Sequence, residues 1–226
     1  VRTFDFGRET LKVAAVVTMT ADHVGTILYP DLLFLHIVGR LAFPLFAYLI
    51  ALGIESTIKP RKYLVTLLGF AVVSQVPYFL AFGIQPFERL NILFPLFASA
   101  LALYFFKKGK MQIFIIALSL AVLSSIVFNM EGTFYVVLTV AAMRLLKSKP
   151  ELGVLALIGL NLALVPDIQA LAVLAVPLIL LHTQNWLKKE VTIPDNSRLY
   201  SLRKYAFYVY YPLHLGLLYW ISISFL

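Results

Sequence analysis

The chain has 226 residues, 61% of them hydrophobic and only 13% charged, with a mean hydropathy of +0.90. A soluble globular domain has roughly 45–50% apolar and about 25% charged residues, so one soluble core is excluded. The absence of cysteine excludes disulfides, thiolate catalysis and cysteine metal sites.

The apolar residues come in long blocks, as a hydrocarbon layer about 30 Å thick demands of helices. The alternating ten-residue strands of a transmembrane barrel are missing. Nine helical spans are predicted, over residues 11–29, 32–54, 63–82, 91–106, 111–128, 134–146, 152–165, 168–182 and 205–226. The fold class is therefore an all-α, polytopic membrane bundle of about nine helices, forming one domain over residues 1–226. The first block carries an Asp-His pair and lacks a small-residue cleavage site, so it reads as a retained span rather than a signal peptide. The sixth to eighth spans are short, which leaves tilting, re-entry or merging open. The connection over residues 184–204 contains Pro194-Asp195-Asn196 and reads as a surface loop or interfacial helix.

The net charge of +8 is distributed in alternation. Arg2, Arg8 and Lys12 precede the first span. Every second connection is then basic: Lys59/Arg61/Lys62, Lys107/Lys108/Lys110, Arg144/Lys147/Lys149 and Lys188/Lys189/Arg198/Arg203/Lys204. The intervening connections hold Asp31, Glu88, Arg89, Glu131 and Asp167. By the positive-inside rule the N-terminus is cytoplasmic. A nucleic-acid surface would concentrate its charge on one element, so nucleic acid is not an expected partner; the lipid bilayer is.

Within the spans the ionisable residues are few: Asp22, His23, His36, Arg40 and His214. An Asp or Arg at the bilayer centre costs roughly 2.5–3.5 kcal/mol and normally faces a bundle interior with a partner. At 1.5 Å per residue, His23, Arg40 and Gln75 fall about 18 Å from the cytoplasmic side and His214 about 14 Å. Four helices thus place polar groups in one layer near or just outside the midplane. Each residue also has a structural reading. Asp22 is a natural ion-pair partner for Arg40, and His36 is a packing residue near the outer interface. His182 is interfacial, and Arg89 and Asn91 either line a site mouth or cap the fourth span. The Tyr210-Tyr211-Pro212 stretch before His214 predicts a locally broken helix.

The order of short motifs resembles the TraX family, named for the membrane protein that acetylates the N-terminus of conjugative pilin. The matching segments are Leu11-Lys12 with Met19-Thr20-Ala21-Asp22-His23, then Gly39-Arg40-Leu41-Ala42-Phe43-Pro44-Leu45-Phe46-Ala47. Asn91-Ile92-Leu93-Phe94 and Tyr211-Pro212-Leu213-His214-Leu215 follow, with Gln75 before Pro77-Tyr78 and Gly132 after Glu131. The family looks like a compact branch of the transmembrane acyltransferases, related to acyltransferase family 3 and the lysosomal heparan glucosaminide acetyltransferases. The resemblance implies a cytoplasmic membrane location in a prokaryote, acetyl-CoA as donor and a bundle with a central passage. It also implies an acceptor amine or hydroxyl, on a pilin-like protein or a glycan, near the outer side. No metal is expected.

In that setting His23 is the expected general base, oriented or tuned by Asp22. Arg40 stabilises an oxyanion or holds Asp22 ionised, and His214 is a second acid/base or a transient acetyl carrier. Gln75 and Asn91 are expected to position the donor. Arg61, Lys62, Lys107 and Lys108 are candidates for its phosphates. Two other classes fit the same residues: a proton-coupled transporter using an Asp/His/Arg relay, and a noncatalytic membrane assembly protein.

Overall fold

The computed structural model describes residues 2–164, 167–184, 186–187, 190–193 and 197–225. Lys188, Lys189 and Pro194-Asp195-Asn196 lie outside the described residues, as do the side chains of Arg2, Asp167, Arg198, Arg203 and Lys204.

Among the described residues, ten α-helices follow the expected spans: α1 (Phe6–Leu28), α2 (Leu33–Gly39), α3 (Ala42–Ser56), α4 (Pro60–Phe82), α5 (Leu93–Lys107), α6 (Met111–Val127), α7 (Thr133–Ser148), α8 (Pro150–Gly159), α9 (Ala175–Thr183) and α10 (Ser197–Phe225). A π-helical turn, Leu160–Leu164, extends α8, and a 3-10 stretch, Asp167–Leu174, leads into α9. Taken together, α2 and α3 form one interrupted rod, so the described residues form nine rods. By length and composition α1, α2–α3 and α4 are long and apolar enough to cross a membrane, and α5, α6, α8 with its extension and the rod ending in α9 are shorter apolar helices.

The packing is inverted relative to a water-soluble bundle. Val65, Val72 and Val76 on α4, Ile116, Leu120 and Leu123 on α6, and Leu213, Leu217 and Trp220 on α10 are exposed. Meanwhile His23, Gln75, Asn91, Ser99, Thr139, Asn161 and His214 are buried. Apolar surface on this scale outside and polar groups inside suit a hydrocarbon solvent. This is a helical membrane protein.

Three expectations are corrected. The helix around Tyr210-Tyr211-Pro212 is not broken, since α10 runs through Pro212. The interruption is instead at Arg40-Leu41, inside the span drawn as continuous over 32–54. Pro44 lacks the N–H that Arg40's carbonyl needs, and its ring crowds that carbonyl; Gly39 weakens the helix just before it. No glycine precedes Pro212 in the same way, and α10 packs against α4 and α1. The fourth span begins at Leu93 rather than 91, because Asn91 is in the preceding turn. Lastly, the connection over 184–204 is neither loop nor interfacial helix throughout. A short strand, β2 (Glu190–Ile193), pairs antiparallel with β1 (Arg2–Asp5) and ties the chain's start to the segment before α10.

Candidate functional site

Two consecutive residues of α1 face two different partners. Asp22 points to the helix interruption, where its carboxylate pairs with the Arg40 guanidinium. Gly39 makes this approach possible: a Cβ there would overlap the Asp22 side chain. Arg40 also donates from Nη1 to Gln169 Oε1 (3.0 Å) and from Nε to the His36 carbonyl (3.3 Å). Gln169 Nε2 donates to the Tyr135 hydroxyl (3.1 Å), which donates to Asn161 Oδ1 (2.7 Å) in the π-helical turn. The three irregular backbone segments therefore meet on one connected polar network, which is where irregular backbone is tolerated at membrane depth. Gln169, Tyr135 and Asn161 carried no sequence signal, being neutral residues in apolar blocks.

His23 turns about 100° away from Asp22, as the neighbouring residue of a helix must, and reaches α10. Its Nδ1 lies 2.7 Å from His214 Nε2, with the two rings nearly parallel at 4°. His214 Nδ1 lies 2.9 Å from the Tyr210 carbonyl. A carbonyl only accepts, so His214 Nδ1 carries a proton; in the neutral pair His214 Nε2 is then the acceptor and His23 Nδ1 the donor. The direction of the chain leaves His23 Nε2 with a free lone pair. Thus the hydrogen-bond partner that orients His23 is His214 rather than Asp22. Both nitrogens of His214 are engaged in this arrangement.

Aromatic rings wall the pair. Phe82 meets His23 edge-on at 5.5 Å, and Tyr210 stacks on His214 at 4.9 Å. Thr20 gives its hydroxyl proton to the Val16 carbonyl, so the Tyr210 hydroxyl donates to Thr20 Oγ1 at 2.7 Å. His23 is five residues from the end of α1, hence about 8 Å below that end, on the side away from the basic connections.

Gln75 and Asn91 form a separate buried knot. Asn91 Nδ2 donates to the Ala71 carbonyl and to Gln75 Oε1 (2.8 Å each), and its Oδ1 accepts from Leu93 N–H (3.1 Å). Gln75 Nε2 donates to the Arg89 carbonyl (2.7 Å). Their polar groups fix the α4–α5 connection. Beside them Glu131, from the turn before α7, accepts from the Ile92 N–H at 3.0 Å and interacts with Tyr78 and Arg89. Burial pushes the Glu131 carboxyl up to about 7, opposed by the Ile92 N–H and Arg89 and reinforced by Asp22. Sequence reasoning placed Glu131 only in a connection; its depth depends on how the turn folds inward.

At the basic face, the ends of α3, α5 and α7 enclose a cleft of about 420 Å³ lined by Glu55, Ser56, Phe106, Lys107, Arg144 and Lys147 among others. Lys147 and Arg144 pair with Glu55. Lys107 donates to the Ile54 and Thr57 carbonyls at 3.1 and 2.6 Å. Of the four basic candidates only Lys107 lines this cleft. Arg61 and Lys62 are exposed at the start of α4, and the Lys108 ammonium sits 6.0 Å from the Tyr104 ring. Arg144 and Lys147 were seen in sequence only as topology-setting charges. Between cleft and histidine pair, roughly 20 Å along α3, Leu49, Leu96, Ala100, Val136, Val140 and Met143 are packed in the core. A donor arm following this axis displaces those side chains.

His182 lies in the last turn of α9, at the end of its span as expected, but is covered by protein. It is 5% exposed, accepts from the Tyr48 hydroxyl (2.8 Å) and donates to Asp5 Oδ2 (3.2 Å).

A model of the TraX protein family matches residues 7–222, nearly the whole chain. The chain belongs to that family. It is 28% identical to a probable fimbrial assembly protein, FimC of serogroup H1, from Dichelobacter nodosus, over 96% of each chain. The Protein TraX of Escherichia coli K12 is 38% identical over 38% of this chain and 35% of its own length. An uncharacterized protein of Rickettsia prowazekii is 30% identical over 47% of this chain. The match covers 40% of that Rickettsia protein, so the chain spans less than half of two of these relatives. No solved structure matches.

Proposed function

We propose that this TraX-family protein is an acetyltransferase that moves an acetyl group from acetyl-CoA to an amine or hydroxyl acceptor in the half of the membrane opposite the basic face. One observation carries the reading: the directed chain from His23 through His214 to the Tyr210 carbonyl, which leaves His23 Nε2 as a base. That nitrogen takes the acceptor's proton as the acceptor attacks the thioester carbon. When the tetrahedral intermediate collapses, the carbon–sulfur bond breaks and the same proton passes to the departing thiolate. His214 shares the charge that His23 carries in between.

The basic cleft suits the phosphates of the donor, with Lys107, Arg144 and Lys147 around it. The Dichelobacter relative is named a fimbrial assembly protein, which favours a pilin-like protein as acceptor over a glycan. The polar network supports an enzyme over a proton-coupled transporter. Asp22, Arg40, Gln169, Tyr135 and Asn161 form one chain of contacts that ends in the π-helical turn, whereas a proton path must cross from face to face.

The test is turnover of acetyl-CoA by purified protein in lipid nanodiscs, with a short amino-terminal pilin-like peptide as acceptor. Wild type should acetylate the peptide, and His23→Ala should lower the rate about 10²–10⁴-fold. Folded wild type that neither binds acetyl-CoA nor transfers its acetyl group overturns the proposal.

A further inference from the structure

Tyr211, buried at 5% exposure in α10, has a ring centroid 5.7 Å from His214 and 6.3 Å from His23. Its hydroxyl is buried and has no hydrogen-bond partner. An orphaned buried hydroxyl costs about 1–3 kcal/mol, and in a folded protein it calls for an explanation. The neighbouring donors are committed. Tyr210 is bonded to Thr20, Tyr135 to Asn161 and Gln169. Arg40 has three of the five guanidinium N–H groups engaged by Asp22, Gln169 and the His36 carbonyl. Arg40 keeps two N–H groups but is anchored on Asp22, whereas the Tyr211 hydroxyl, on a ring packed beside the histidine pair, has no partner at all. Arg40, offered by the sequence as either an oxyanion donor or a counter-ion, has the second role in this geometry.

We propose that Tyr211 is the oxyanion donor of the site, its hydroxyl hydrogen-bonding the acyl carbonyl oxygen of the donor thioester. The inference rests on the acyl-transfer reading. As the acceptor's nitrogen or oxygen bonds to the carbonyl carbon, the C=O π pair moves onto oxygen and the Tyr211 O–H holds it without giving up its proton. His23 Nε2 takes the acceptor's proton. Collapse re-forms C=O, breaks C–S and returns that proton to the thiolate. A preorganised donor aimed where negative charge develops is worth about 10²–10³ in rate.

The experiment compares wild type and Tyr211→Phe, full-length and purified, by three readings. The turnover number for acetyl-CoA should fall about 10²–10³-fold, with the donor KM little changed. The thermal midpoint should stay level or rise, because the variant loses no internal hydrogen bond. With the ketone analogue of acetyl-CoA bound (methylene in place of sulfur), the ¹³C-edited carbonyl stretch should lie lower in wild type than in the variant. A variant with wild-type turnover, or with equal carbonyl frequency, overturns the assignment of Tyr211 and leaves the acyl-transfer reading intact. A midpoint falling with activity also overturns it, since the hydroxyl then has a structural partner. A wild type that binds neither acetyl-CoA nor the analogue overturns both.

Discussion

His214 holds its Nδ1 2.9 Å from the carbonyl of Tyr210, one turn earlier in α10, while its Nε2 faces His23 on α1. The first contact fixes the tautomer and the second uses it. Replacing His214 by alanine removes the acceptor for the His23 Nδ1 proton and frees the imidazole to rotate. Turnover should drop by about 10²-fold or more, less than for His23→Ala, because a base without its orienting partner is still a base. Steady-state rates of both variants and of the double variant check this. Equal and additive losses would mean that the two histidines do not act as a unit.

The Asp22–Arg40 pair predicts an asymmetric stability series. Both side chains are about one quarter exposed (23% and 27%), so the full penalty of a buried orphan charge is screened. Asp22→Ala should still destabilise by about 1–3 kcal/mol, as it leaves the guanidinium short of its counter-ion. Adding Arg40→Met should recover part of that loss. Thermal unfolding in a mild detergent measures both; no recovery in the double variant would show that Arg40 is held by Gln169 and His36 alone.

Gly39→Ala places a methyl group against the Asp22 side chain. Overpacking of this kind costs about 1–3 kcal/mol. Gly69 in α4 has nothing within 4 Å of the same added atom. Gly69→Ala is thus a matched control, expected to be neutral or stabilising by about 0.5–1 kcal/mol. Comparable losses at both positions would contradict the close α1–α2 contact.

Glu131 gives stability a pH dependence. Burial pushes its carboxyl up from the ordinary 4.5 to about 7 in the folded chain. Between these values the unfolded state has lost the proton that the folded state keeps, so stability falls as pH rises from about 4.5 to about 7. Glu131→Gln should flatten that slope. The measurement is the thermal midpoint of both proteins across pH 4.5–8, with an unchanged slope in the variant as the contrary outcome.

Much of the bundle was legible in the sequence. Loop charge and block length located the nine rods, and depth along each rod put His23, Arg40 and His214 in one layer. Depth is a one-dimensional quantity, however, and partner choice depends on rotation about the helix axis. Asp22 and His23 have nearly the same depth, yet one faces α2 and the other α10. For the same reason the sequence placed His182 at the end of its span without showing that Asp5 and Tyr48 close over it. The interruption at Arg40 had its signal in Gly39 and Pro44, but the apolar run around them hid it. Gln169, Tyr135 and Asn161 were out of reach, because neutral polar residues declare themselves only when packing shows what they satisfy.

The two histidines come from α1 and α10, the first and last helices described, 191 positions apart. During biosynthesis α1 therefore enters the membrane long before its partner has been made. A ribosome must deliver all the intervening helices before the base acquires its orientation. A polypeptide interrupted before α10 keeps most of its helices but has no assembled histidine pair, so on the proposed mechanism nascent or prematurely terminated chains would be inactive.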